Sequence, residues 1–576
     1  MIDTKEKLAG LLIPAFALRR QSGGDLGIGD TQAIKEAIDF CARNNTAVLQ
    51  LLPINETGGD NSPYNAISSI ALDPVLLTIA PSVPGLTADN LNKLSTPEMV
   101  LQLSSGPVNY PVVKKLKLAL LRTACNAFLQ TDSRSPQRSE FETFKKQQQS
   151  WLANYSLFRT LVDVNGGNTS WPQWPEAHRC AESAQQWVDK QTNSKQLKAD
   201  KEFYCFVQWV ASRQWADVRV HADAHGVRLM GDIPFGVSRY SADVWANQKL
   251  FDLDWSGGAP PEKFFQSDPF TAKWGQNWGL PLYRWDEHKA ENFQWWHQRV
   301  RKCVEIFHYF RIDHVLGFFR IYSFPWQPER NGEFVELNEE QAAAKSGGRL
   351  PQFMPRSDER PEDAQKNAAE GKALLKMILD ASGKAGVVAE DLGMVPDYVR
   401  PILQELGIPG FTIPFWERED NRELKKGTAL PVLSLATYAT HDHQPLVVLY
   451  REMVQRWHGP EGHDGWLEMQ RLMRFLSLDE NNPPGEYSPE LHRAFLKSLL
   501  ETPCWLVVLM ITELLSTQER FNQPGTSGES NWSRRLDHSL DWYEKNEPFS
   551  DRVAMFRQLV KETRRLPLAG QVGTIR

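Results

Sequence analysis

The chain has 576 residues and a formal net charge of −6, with 24% charged and 41% hydrophobic residues. That length buries a large core, and the mildly acidic balance without a basic stripe argues against nucleic acid as a partner. No run of about 18 apolar residues occurs, which argues against a membrane span. The six cysteines (Cys41, Cys125, Cys180, Cys205, Cys303, Cys504) are scattered, with no close pair for zinc and no dense disulfide framework. We therefore expect no metal, no cofactor and a reducing, cytoplasmic setting.

In chain order, Lys5 and Lys7 precede LAGLLIPAFAL, which has the look of a secretion signal ending in Ala-Phe-Ala. Pro14 interrupts that apolar run, and GGDLGIGD (Gly23 to Asp30) reads as an ordered loop and helix cap, so we read the run as the opening strand of a barrel. An amphipathic helix spans about Gln32 to Arg43, and a buried strand follows over Ala47 to Pro53. The Gly-, Asn-, Ser- and Pro-crowded stretch NETGGDNSPYNAISSIALDP is a loop. Residues 109–214 are mostly polar and helical and read as an insertion between barrel strands. Val227 to Phe235 is the next strand, with Asp232 near its tip. The stretch 236–285, rich in Gly, Pro and Trp, reads as a long active-site loop. Ile306 to Ile312, Gly386 to Asp391 and Leu433 to Asp442 are further strands. PRSDERPEDAQKNAAEG and LDENNPPGEYSPE read as charged surface connections. Trp505 to Leu515 is the expected last strand, followed by the loop ERFNQPGT. This alternation of strand and helix argues for an α/β fold with a parallel sheet.

The richest stretch is FHYFRIDHVLGFFRI. Its apolar strand ends in Arg-Ile-Asp-His, so Arg311 and Asp313 share one face. A carboxylate at the C-terminal tip of a buried strand is where parallel barrels keep their chemistry, and a guanidinium two residues earlier holds that carboxylate ionised and oriented. A structural Arg–Asp pair at a strand end is the plain alternative. Two other strands repeat the pattern, one ending in Glu390-Asp391 and one in His441-Asp442. Glycoside chemistry needs one carboxylate to attack the anomeric carbon and one carboxylic acid to protonate the leaving oxygen. A third carboxylate can bind sugar hydroxyls and offset positive charge. Twenty Trp, some of them beside Asp, Asn or Glu, suit sugar faces, although most must serve the core.

Taken together, these motifs resemble the amylomaltases, the 4-α-glucanotransferases of glycoside hydrolase family 77. The likeness runs in order through LLIPAFALRRQSGGDLGIGD, SPYNAISSIALDP, GDIPFGVSRYSADVW, GGAPPEKFF, GQNWGLPLY, RIDH, AEDLG, THD, ERFNQPGT and NWSRRL. The resemblance implies a single catalytic (β/α)8 TIM barrel over residues 1–576, with helical and loop insertions and no separate C-terminal β-domain. It implies Asp313 as nucleophile, Glu390 as acid/base and Asp442 as the residue that holds the sugar's 2- and 3-hydroxyls. Arg311 would orient Asp313, while His441 and Asp232 would bind the donor sugar and Tyr64 would stack on it. Ser62, Trp278, His314, Asp391 and Asn522 are carried over as binding residues; bracing a catalytic neighbour is the other reading for His314 and Asp391. The substrates implied are maltooligosaccharides, maltodextrin or glycogen, with no nucleic acid and no membrane.

The chain departs from the commonest family pattern at Val315-Leu316, Tyr240 and His443-Gln444, and in FTIPFWERED after Gly410, where Glu417 is the candidate acidic contact. These changes bear on donor length and acceptor choice, which sequence leaves open together with oligomeric state. Two other readings stand beside the transferase: an α-amylase-type hydrolase using the same carboxylates, and a non-catalytic glucan-binding barrel. The stretch Gly258 to Trp285, with Trp274 and Trp278, is the candidate surface for an acceptor sugar.

Overall fold

The computed structural model describes residues 2–261, 268–460, 462–524 and 530–566. Parts of two motifs noted above, GGAPPEKFF and ERFNQPGT, lie outside the described residues.

Eight parallel strands form one sheet. In chain order they are Leu8–Leu12, Val48–Gln50, Arg228–Pro234, Tyr309–Asp313, Gly386–Ala389, Gly410–Thr412, Ser434–Ala436 and Leu506–Met510. The first strand pairs with the second and the last, and the Ala389 N–H donates to the Pro409 carbonyl at 2.8 Å, joining the fifth strand to the start of the sixth. The sheet thus curls into a barrel with helices between its strands, as the alternating sequence pattern predicts. Leu8–Leu12 and Leu506–Met510 are buried throughout, because strands covered on both faces need apolar residues at every position. The first five residues of LAGLLIPAFAL are the opening strand, and Ala15–Ala17 beyond Pro14 is a 3-10 turn. Among the described residues, no helix is long and apolar enough to cross a membrane.

Local chemistry sets the helix starts. Asp30 accepts from the N–H groups of Gln32 and Ala33 and caps helix Thr31–Arg43. Thr96, Asn109, Ser135 and Ser488 each cap a helix that carries Pro in its first turn, where a missing N–H costs nothing. Between residues 109 and 214 the chain is helical, with segments Tyr110–Leu129, Pro136–Gln147, Gln149–Val164 and Ala181–Lys190 before the long helix Ser194–Ala224.

Four readings need correction. The run Trp505 to Leu515 is not one strand: it ends at Met510, and Ile511–Leu515 is a helical turn. The Glu513 side chain folds back to accept the Met510 N–H, a capping contact that apolar periodicity does not reveal. PRSDERPEDAQKNAAEG is not a surface connection throughout, because Pro361–Ser382 is a helix. Pro at its start, acids in its first turn and an Ala-rich body all favour helix over coil. The stretch after Pro409 opens with barrel strand Gly410–Thr412, too short to show periodicity. The stretch 236–285 carries helix Ala242–Ala246 and strands Phe251–Ala259 and Gln276–Tyr283. These two strands join Ile321–Phe324 and Gln352–Met354 in a second, antiparallel sheet. A small apolar cluster of Phe270, Trp274, Phe324, Trp326 and Phe334 anchors it, with the Trp326 and Phe334 rings stacked at 3.7 Å. Burying an aromatic ring of this size contributes roughly 1.5–3 kcal/mol.

Candidate active site

Strand register brings the first charged group into place. In the third and fourth barrel strands Asp232 pairs with Arg311 and Pro234 with Asp313. Arg311 is 4% exposed, and its guanidinium donates to Asp232, to Asp313 Oδ1 at 2.5 Å and to the Tyr64 hydroxyl at 3.2 Å. Arg311 Nη2 also lies 3.9 Å from Glu390 Oε2. One nitrogen therefore sits between the two carboxylates, which caps that pair of oxygens at about 6.4 Å apart. Such closeness fits the retaining arrangement, in which the carboxyl groups stand about 5–5.5 Å apart.

The three carboxylates differ in environment. The Asp313 side chain is 29% exposed, open to an incoming molecule. Glu390 follows strand Gly386–Ala389 and is buried; its Oε2 accepts the His314 N–H at 2.7 Å and its Oε1 the Leu392 N–H at 3.0 Å. Burial pushes the Glu390 carboxyl up to about 7, against the pull of Arg311, and the charge of Asp313 adds to the rise. Asp442 moves the other way. Burial opposes its charge, but His441, Asn522 and Arg311 outweigh burial and hold it well below the usual carboxylate range. Its Oδ1 accepts from Asn522 Nδ2 at 2.6 Å, and His441 Nε2 lies 3.2 Å from Oδ2. Two carboxyls on one barrel mouth are thus pushed in opposite directions by their surroundings, Glu390 toward the protonated form and Asp442 toward the ionised one.

The Tyr64 hydroxyl donates to Asp232 at 2.8 Å, and its ring stacks on His441 with centroids 4.9 Å apart. Burial pushes Asp232 up to about 6 while Arg311 pulls it down. His314 has φ +48° and its ring meets the edge of Trp278 at 4.9 Å; burial pushes its imidazole down to about 4, so it is neutral at physiological pH. Asp391 accepts the Phe411 N–H at 2.6 Å and pairs with Arg400 at 3.0 Å, which stitches the fifth strand's end to the sixth strand. Gly410 is needed there, since a Cβ would stand 2.7 Å from an Asp391 oxygen. These contacts match the bracing reading of Asp391. Ser62 Oγ accepts the Tyr64 N–H at 3.3 Å and shapes the turn that presents Tyr64.

Trp278 is 37% exposed beside His314, but Trp274 is buried and donates its indole N–H to the Phe334 carbonyl. Trp274 is therefore a packing residue of the small sheet and not part of an acceptor surface. Reasoning from sequence also passed over Arg520, which donates to the Asp442 main-chain carbonyl at 2.6 Å and to the Asn522 carbonyl at 2.7 Å. Trp532, close to both Tyr64 and His441, was missed as well. Both lie inside quoted motifs, ERFNQPGT and NWSRRL, which were the only signal available.

Comparison with known proteins decides the family. The model of the 4-alpha-glucanotransferase family, glycoside hydrolase family 77, matches residues 13–540. The chain belongs to that family. It is 29% identical over 566 residues to the 4-alpha-glucanotransferase of Chlamydia caviae, covering 95% of this chain and 93% of that one. It is 30% identical over 407 residues to the enzyme of Thermus thermophilus, covering 69% and 71%. In structure it resembles the amylomaltase from Streptococcus agalactiae in complex with acarbose, with a TM-score of 0.74 and 21% identity over 97% of this chain and 100% of that one.

Within this 4-alpha-glucanotransferase frame the unusual residues have defined surroundings. Val315 and Leu316 are buried in the turn after Asp313. The Tyr240 hydroxyl donates to Glu329 at 2.8 Å. His443 Nδ1 accepts the Thr440 N–H at 3.0 Å, and its ring meets the exposed Trp416 at 5.3 Å. Glu417 pairs with Lys425 at 3.3 Å and lies 3.9 Å from Arg400.

Proposed function

We propose that Asp313, Glu390 and Asp442 carry out the family's 4-α-glucanotransferase reaction on α-1,4-glucans by a retaining double displacement. An Asp313 oxygen attacks the anomeric carbon of a bound maltooligosaccharide as the glycosidic bond breaks. The leaving oxygen takes the proton of Glu390, and the donor segment stays linked to Asp313 as a covalent ester. The 4-hydroxyl of an acceptor glucose or glucan then attacks the same carbon while Glu390 takes its proton, and Asp313 is released. Asp442, held ionised, accepts hydrogen bonds from sugar hydroxyls and offsets the positive charge that develops on the ring. Tyr64, His441 and Asp232 frame the donor sugar, and Trp278 offers the acceptor sugar an apolar face.

The observation that carries this reading is the single Arg311 guanidinium, which holds Asp313 and stands 3.9 Å from a Glu390 carboxyl that burial raises to about 7. Maltodextrin or glycogen as donor follows from the family's activity. The six free cysteines fit a cytoplasmic setting. We read residues 109–214 and 236–285 as insertions into one catalytic barrel.

The deciding experiment incubates the protein with pure maltotriose and separates products by chain length. A transferase yields both shorter and longer oligosaccharides, a hydrolase yields only shorter ones, and a glucan-binding barrel leaves maltotriose intact.

A further inference from the structure

We infer that Asp39, His221 and His225 form a binding site for a divalent transition-metal ion on the outside of the barrel. His221 lies in the last turn of helix Ser194–Ala224 and His225 is its C-cap, so the two rings project one helical turn apart on the same side. Their centroids are 4.2 Å apart. Both rings turn their Nε2 atoms toward one carboxylate on another helix, Thr31–Arg43. Nε2 of His221 is 2.6 Å and Nε2 of His225 is 3.4 Å from Asp39 Oδ1. One donor atom from each residue lies within 4.8 Å of the other two.

The tautomer of His225 points to a cation. Its Nδ1 stands 2.8 Å from the His221 carbonyl, an oxygen that can only accept, so Nδ1 carries the proton. Nε2 is then the ring nitrogen left to bind a cation, and it faces Asp39 Oδ1 at 3.4 Å. A metal ion between them would be coordinated by both. A backbone carbonyl on the other ring nitrogen is the usual support of a metal-bound imidazole.

The donor set selects the metal class. Two imidazoles and one carboxylate suit Zn²⁺, Co²⁺, Ni²⁺ or Cu²⁺, whereas Ca²⁺ and Mg²⁺ prefer oxygen alone. Ligand bonds of about 2.0–2.1 Å at tetrahedral angles place donors about 3.3–3.4 Å apart. The His225–Asp39 spacing already meets that figure, and the His221–Asp39 contact opens by under about 1 Å to meet it. His225 is exposed, so water can complete the coordination.

The site lies at the end of the barrel away from the catalytic carboxylates. Both helices run back to the N-terminal ends of parallel strands, Thr31–Arg43 to Val48–Gln50 and Ser194–Ala224 to Arg228–Pro234, whereas Asp313 and Glu390 stand at C-terminal ends. A bound ion would staple the helices before the second and third strands, and its expected effect is on stability with glucan transfer unchanged.

The test uses full-length chelator-treated protein carrying Cys180→Ser, which removes the exposed thiol. It is titrated with Co²⁺ alone and followed by visible absorption, with Zn²⁺ used to compete. We expect one saturable equivalent with ligand-field bands and no near-ultraviolet thiolate band, and a Tm that rises with added Zn²⁺. His225→Ala and Asp39→Asn should each weaken Co²⁺ binding at least about tenfold and abolish the Zn²⁺ shift, with transfer on maltotriose intact. Absence of saturation below millimolar Co²⁺, a thiolate band, or binding undiminished in both variants would overturn the site. His225 is on the surface, so its variant tests the site without disturbing the core.

Discussion

The main-chain N–H of His314 donates to Oε2 of Glu390 at 2.7 Å, so the residue that follows Asp313 also fixes the neighbouring carboxyl. His314 reaches that position in the left-handed region at φ +48°, a conformation that costs a non-glycine residue about 1–3 kcal/mol. The hydrogen bond to Glu390 helps to offset the strain. Asp313 and Glu390 are thereby tied to a single turn, and the spacing between them is a property of the backbone.

Glu390→Gln should retain the fold and lose about 100- to 10,000-fold in turnover on maltooligosaccharides, because an amide can neither donate nor retrieve the proton. Steady-state kinetics on maltotriose measure this. Near-normal transfer in the folded variant would move the acid/base role elsewhere, Asp391 being next in line.

The pH profile should carry the same signature. With the Glu390 carboxyl raised to about 7 by burial, its acid form dominates below that pH and is lost above it. For unactivated donors kcat/KM should therefore fall as pH rises through about 7. For donors with a leaving group that needs no protonation the alkaline fall should flatten. Identical alkaline limbs for both donor types would assign the limb to another group.

Trp278→Ala should lower the ratio of transfer to hydrolysis on maltotriose by about 2- to 10-fold, the worth of one aromatic contact of about 0.5–1.5 kcal/mol. The prediction follows from the proposed acceptor role of this half-exposed ring beside His314, since a stacked sugar excludes water. Both products are counted from the same reaction. An unchanged ratio would mean that Trp278 does not select sugar over water.

Asn522→Ala removes the 2.6 Å bond to Asp442. Hydrogen bonds to charged groups contribute about 1.5–3 kcal/mol, so kcat/KM should drop roughly 10- to 150-fold. Asp442 should also become easier to protonate, moving the acid limb of the profile to higher pH. A fall in kcat/KM with no shift of that limb would separate Asn522 from the charge on Asp442.

Glu513 sets a pH-dependent stability away from the site. Burial pushes its carboxyl up from 4.5 to about 8. The folded chain then holds a proton that the unfolded chain releases, so this contribution is fully present below pH 4.5 and is lost as pH rises through about 8. Glu513→Gln removes that dependence and should raise Tm relative to the parent at pH 8 more than at pH 5. Scanning calorimetry at the two pH values checks the sign.

Much of this protein is legible in its residues. Strand periodicity puts Arg311 and Asp313 on one face by itself, and the ends of three apolar runs name Asp313, Glu390 and Asp442. What those patterns lack is the neighbour. Asp232 meets Arg311 only because two strands separated by a long stretch of chain pair in one register, and hydrogen-bond register is a property of the sheet. Trp274 and Trp278 look alike in sequence and part company because an antiparallel sheet buries one ring and leaves the other beside His314. Short strands such as Gly410–Thr412 are too brief for a period to show, and burial from both sides defines them. The pairing of His221 and His225 follows from helical spacing, whereas their facing Asp39 depends on how two helices pack. Local chemistry thus determined which groups this chain can use. Packing between distant segments decided which of them meet, because distances between elements arise only when the core closes.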